Sequence, residues 1–160
     1  MNFNFLAMGL AALSTLAVGF VWYHPKVFGS IWMKEAGLTE AQMKDTNMIK
    51  MFGLSLIYAF FISFIIQFLT IHQFGAYGMI GGKPELANPS FFAFMADYEH
   101  AFRTFKHGAL HGFMTGLFMM IPVTATNAMY ERRSFKYALV SGGFWTVCFT
   151  IMGGILCAME

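Results

Sequence analysis

Stretches without a single charged side chain alternate along this chain with short polar segments. Residues 1–25, 51–82, 107–130 and 137–159 carry no Asp, Glu, Lys or Arg. Each is long enough to cross a ~30 Å hydrocarbon core, which takes about 20 helical residues. The pattern predicts an all-α, polytopic membrane protein. Its four transmembrane helices are expected over approximately 3–23, 51–74, 106–128 and 135–159, in a single membrane domain covering 1–160.

The polar segments predict two short amphipathic surface helices. After the first span, Val27, Phe28, Ile31 and Trp32 recur at helical spacing against Lys26, Lys34 and Glu35, a pattern suited to the membrane surface. Gly37 suits the C-cap. Thr39 and Gln42 then form a T-x-x-Q capping box, with Leu38 and Met43 at the staple positions. Beyond the second span come Gly75, Gly78, Gly81 and Gly82, and Asn88-Pro89 reads as an N-cap and first-turn pair. Phe91, Phe94, Met95, Tyr98, Phe102 and Phe105 would line one face of the helix that follows. Asp97, His100, Arg103, Thr104 and His107 would line the other. This helix is expected to run directly into the third span, where Pro122 predicts a kink.

Composition narrows the class. The chain is 58% hydrophobic and 11% charged, where soluble domains average about a quarter charged. That excludes a soluble fold, a nucleic-acid binder and a disordered chain, and leaves the lipid bilayer as the first partner. The first span has no basic n-region, outlasts an ordinary h-region and ends in Trp22-Tyr23-His24-Pro25. It therefore reads as a retained span, not a signal peptide. Lys26, Lys34, Lys44, Lys50, Arg132, Arg133 and Lys136 fall on one side, against Lys83, Arg103 and Lys106 on the other. The positive-inside rule puts the first set in the cytoplasm and both termini outside. Cys148 and Cys157 are separated by about 13 Å along a continuous helix, too far for a disulfide within the chain.

Gly108, Gly112 and Gly116 form a ladder down one face of the third span. Glycine lets a second backbone approach closely, either within the bundle or at a subunit interface. Gly142-Gly143 and Gly153-Gly154 offer similar surfaces in the fourth span. The chemistry lies in the histidines. His107 and His111 stand four residues apart on one helical face, with His72 expected at the same depth on the second span. Two imidazoles at this spacing, with a third ligand from elsewhere, suit Zn²⁺ or another borderline metal. Met114 continues the face as a soft thioether favouring Cu(I). His100 and Asp97 are candidate gate or ligand residues, and Gln67 is the deepest polar candidate. The alternative is that these groups serve as inter-helix hydrogen-bonding glue. No nucleotide, hydrolase or thiol-redox motif is present.

Trp22-Tyr23-His24-Pro25, Phe28-Gly29, Trp32-Met33 and Ala36-Gly37-Leu38-Thr39-Glu40 resemble the opening of the bacterial domain-of-unknown-function 1761 family. The histidine- and glycine-bearing third span and Tyr130-Glu131-Arg132-Arg133-Ser134 resemble its second half. Where the family pattern has a histidine in the fourth span, this chain reads Val140-Ser141-Gly142-Gly143-Phe144. The resemblance implies a four-helix integral membrane protein and no particular activity. The first expectation is a structural or interaction subunit of the bacterial inner membrane, forming a homo-oligomer or joining a larger complex, with no cofactor; an enzymatic version, with histidine as general acid–base or an open metal position activating water, ranks third. The alternative is a metal-ion or small apolar ligand site, for binding or transport, at the outer ends of the second and third spans.

Overall fold

The computed structural model describes residues 3–159, and every regular element among them is helical. Helix α1 (Phe5–Trp22) is capped by the Asn4 side chain, which accepts from Ala7 N–H. A π-turn over Pro25–Gly29 then feeds α2 (Ser30–Ala36). A side chain on Gly29 would run into the Tyr23 carbonyl, so the tight return after Pro25 requires glycine. Gly37 ends α2 in the left-handed conformation (φ 68°), the C-cap its position suggests. The capping box forms as the spacing predicts: the Thr39 hydroxyl accepts from Gln42 N–H, the Gln42 side chain from Thr39 N–H, and α3 (Glu40–Lys44) follows.

The second span is α4 (Met48–Thr70), which starts and stops earlier than the charge-free run suggests. Ile71 is extended (φ −111°, ψ 101°) and breaks the chain before α5 (His72–Met79). His72 is therefore the first residue of a separate helix, and Gly75 and Gly78 are helical. A 3₁₀ turn at Pro84–Leu86 leads to α6 (Pro89–Tyr98).

The second surface helix does not run into the third span. It stops at Tyr98, and residues 99–104 form a turn containing Phe102 at φ 63°. The Thr104 hydroxyl then accepts from His107 N–H to start α7 (Phe105–Thr115). Polar positions 97 and 100 consequently leave the stripe that a continuous helix would have made. The third span continues through a π-turn at Gly116–Met120 into α8 (Ile121–Tyr130). Pro122 lacks an N–H and its ring crowds the carbonyl four residues back, so the wider turn just before it accommodates the proline.

Among the described residues, four helices are long and apolar enough to cross a membrane: Phe5–Trp22, Met48–Thr70, Phe105–Tyr130 and Phe135–Ala158. The fourth, α9 (Phe135–Ala158), is the centre of the bundle and packs against all three others. Half of its most apolar stretch is buried, against 28% or less for the rest. Ala7, Met8 and Ala11 of α1, Ile66 of α4, and Cys148, Phe149, Met152 and Leu156 of α9 form the core. Both cysteines are free and buried. Leu6, Phe20, Ile49, Phe61 and Phe118 lie exposed around the outside, the arrangement expected of side chains that face lipid.

The glycine ladder sits within this bundle. A Cβ on Gly108 would collide with the Gly153 carbonyl, one on Gly112 with the Phe149 carbonyl, and one on Gly116 with Thr146. Gly142 and Gly143 meet Ile121 and Trp22, while Gly154 meets a Phe105 ring. Glycines on α7 thus bring α9 into backbone contact.

Candidate metal centre

The break at Ile71 sets the site. It turns the backbone so that the His72 side chain is exposed while Gln73 beside it is 7% exposed. Both Gln73 N–H bonds are used inward, to the carbonyls of Tyr98 (3.1 Å) and Ala101 (2.9 Å). These bonds pin the 99–104 turn against α5. The Phe102 carbonyl accepts from Cys157 Sγ (3.3 Å) and from Thr104 N–H (2.8 Å), holding a bulky residue in a backbone conformation it seldom adopts. Phe102 is thereby placed over the histidines.

His72, His107 and His111 converge. Their ligand-capable nitrogens all lie within 4.8 Å of one another. The His72 and His107 Nε2 atoms are 2.8 Å apart, a hydrogen bond in which one ring donates and the other accepts. His111 completes the triangle, with ring centroids 5.0 Å from His72 and 4.6 Å from His107. The Phe102 ring stands 4.9 Å from His107 and 5.8 Å from His72, an apolar cover on one side. His72 is exposed and the other two are half-buried, so the triangle opens outward.

This geometry suits a small cation. With Zn–N bonds of 2.0–2.1 Å, tetrahedral coordination separates two ligating nitrogens by about 3.3 Å. The hydrogen-bonded pair opens by roughly 0.5 Å to admit a metal, and a pair as wide as 4.8 Å closes by roughly 1.5 Å, both within reach of side-chain rotation. An all-imidazole set favours Zn²⁺, Cu²⁺ or Ni²⁺ over oxygen-seeking Mg²⁺ or Ca²⁺.

The other sequence candidates lie elsewhere. His100 is on the turn, 3.5 Å from Glu99, and Asp97 is exposed on α6. Met114, one turn beyond His111, is 42% exposed, and three nitrogens with an open position make a site without it. Thr115 bonds the His111 carbonyl of its own helix (2.8 Å). Gln67 is 2% exposed and faces a separate pocket. Phe102 and Gln73 are the contributors that sequence reasoning missed. A positive φ at phenylalanine leaves no compositional trace, and Gln73 differs from a surface glutamine only once the break at Ile71 turns it inward.

Residues 6–157 match the model of a family described as a protein of unknown function, DUF1761. No curated protein and no solved structure matches the chain.

Proposed function

The chain belongs to the DUF1761 family, which carries no assigned activity, and we propose that it is a multi-pass membrane protein that binds a divalent late transition-metal ion. The observation that carries this reading is the convergence of His72, His107 and His111 from two helices on one point. Ionisable side chains gathered at the end of membrane spans are functional candidates, and a cluster of three imidazoles invites a ligand. Three nitrogen donors leave a fourth position for water or a transferred ligand, and the exposed side of His72 lets the ion reach and leave the site. Binding followed by transfer fits this openness better than a closed structural site.

The orientation in this reading follows from charge. Lys26, Lys34, Arg132, Arg133 and Lys136 gather at the end of the bundle opposite the histidines. With that end cytoplasmic, the metal centre and both chain ends face outward from a bacterial inner membrane. The alternative reading, a homo-oligomer or a subunit of a larger membrane complex, rested on the glycine ladder. Those glycines meet neighbours inside the bundle, so metal binding takes first place.

Elemental analysis of protein purified without a polyhistidine tag, with Zn²⁺ titration of the metal-stripped form, tests the proposal. About one ion per chain is expected, lost in His107→Ala and His111→Ala while helicity is retained. Metal-free protein that takes up no Zn²⁺, with variants that misfold, would make the histidines packing residues and overturn it.

A further inference from the structure

A second site lies at the same end of the bundle, on the other side of the Ile71 break. A cavity of about 240 Å³ opens between the ends of α4 and α9 and the start of α1. Two buried amides line it, each with one polar atom that finds no partner: Nε2 of Gln67 and Oε1 of Gln73. The Gln73 orientation is fixed, because both of its N–H groups are already used on the Tyr98 and Ala101 carbonyls. Its remaining atom is an acceptor that lacks a donor. Gln67 supplies the converse, a donor that lacks an acceptor. Buried polar groups of native proteins are paired with protein, water or ligand, so two complementary vacancies in one cavity describe the polar part of an occupant.

The rest of the lining describes the remainder. Ile71, Phe74, Met95 and Leu156 give the cavity an apolar wall. Glu99, His100 and Arg103 also reach it, but Glu99 and His100 pair with each other at 3.5 Å and Arg103 donates to the Met159 carbonyl at 2.8 Å, so these groups are engaged within the protein. No net charge is asked of the ligand. A water occupies about 30 Å³ of liquid, so the space exceeds what one bridging water needs and accommodates a small organic group. We infer that this cavity binds the uncharged, hydroxyl-bearing head of an amphiphile, of the glycerol type. One hydroxyl donates to Gln73 Oε1, a second oxygen accepts from Gln67 Nε2, and the apolar wall takes the first carbons of the tail. The inference stands apart from the metal reading, since His72, His107 and His111 do not line this cavity.

The test uses the full chain in a detergent free of glycerol lipids, with monoolein and glycerol as separate probes. Native mass spectrometry is expected to show one monoolein per chain. The Gln67 side-chain amide resonance should shift on titration, and Gln67→Leu should weaken binding at least tenfold with Zn²⁺ uptake unchanged. An equal shift with glycerol alone would identify a free polyol as the source of the same head chemistry and would support the site. If neither probe moves the Gln67 resonance, or Gln67→Leu binds monoolein as wild type does, the cavity holds only water and the inference falls. Loss of Zn²⁺ uptake in the histidine variants leaves this result untouched, so the two readings fail separately.

Discussion

The two ends of the bundle are built from similar materials and put them to opposite use. At the basic end, polar groups mostly close on one another, Ser141 Oγ being the one buried atom there without a partner among the described residues. Trp22 Nε1 donates to the Val140 carbonyl (3.0 Å), Arg133 donates to the Ala36 carbonyl, and the Ser134 hydroxyl donates to Glu35. The aromatic rings follow suit, with Phe28 against Trp22 (4.4 Å) and Trp32 against Tyr23 (5.2 Å). α2 is thus strapped across the helix ends by the turn that joins α8 to α9. At the opposite end, three imidazoles face one another outward and two buried amides keep an unpartnered atom. The first end has the economy of a joint. The second retains hydrogen-bonding and ligating capacity that the protein does not itself satisfy, which is where a ligand gains most from binding.

The sharpest way to break this contrast is through the metal. His107→Ala or His111→Ala is expected to lower Zn²⁺ affinity by about 100-fold or more, since even partners outside the ligand shell cost 10–100-fold. His24→Ala is the control at the basic end. That ring accepts from Lys26 N–H at 3.2 Å and belongs to a cap, so Zn²⁺ affinity should not change. Because ligating imidazoles must be neutral, protons compete with the metal and Zn²⁺ uptake should fall on acidification. Isothermal titration at pH 7.5 and 5.5 reads both effects, and equal losses in His24→Ala and His111→Ala would erase the distinction between the ends.

Much of this architecture was legible in the sequence because single residue types carried it. Charge-free runs marked the spans, Thr39 and Gln42 marked a helix start, and the four-residue spacing of His107 and His111 put them on one face. The third ligand was legible only as a matter of membrane depth. The break that presents it falls at Ile71, where no proline or glycine signals a stop. The turn at 99–104 was hidden for a related reason. Phe91 to Phe105 keeps helical periodicity throughout, but tertiary bonds from Gln73 and Cys157 hold Ala101 and Phe102 outside a helix. Local pattern and long-range pairing disagreed there, and the pairing prevailed. The glycine ladder was visible, yet only packing could say which helix it meets.

The next effects are on stability. Gly112→Ala would place a methyl on the Phe149 carbonyl, a backbone atom that cannot swing aside. Separating α7 from α9 should cost about 1–3 kcal/mol, the usual penalty of overpacking. Gly53→Ala, at an open position on α4, is the matched control and should be neutral or slightly stabilising. Unfolding in mixed micelles measures both. At the basic end, Ser134 caps α9 by accepting from Tyr137 N–H at 3.1 Å. Ser134→Ala should cost about 1 kcal/mol, and Zn²⁺ affinity should stay at the wild-type value because the damage stays within the joint.

The smallest expected change is the most diagnostic of the open end. Gln67 is fully enclosed, and its Nε2 has no partner among the described residues. Replacing it with leucine, which is of similar volume, removes a donor that bonds no protein group and adds apolar contact with Ile71 and Leu156 at the cavity wall. Deleting an unsatisfied buried polar group is close to neutral or favourable. In lipid-free detergent, Gln67→Leu should therefore match wild-type stability or exceed it by up to about 1 kcal/mol. An ordinary buried glutamine holding two helices together would behave the other way, losing a bond worth about that much when truncated. A clear drop in the unfolding midpoint would mean that Gln67 is structural glue. The two ends of the bundle would then differ only in their histidines.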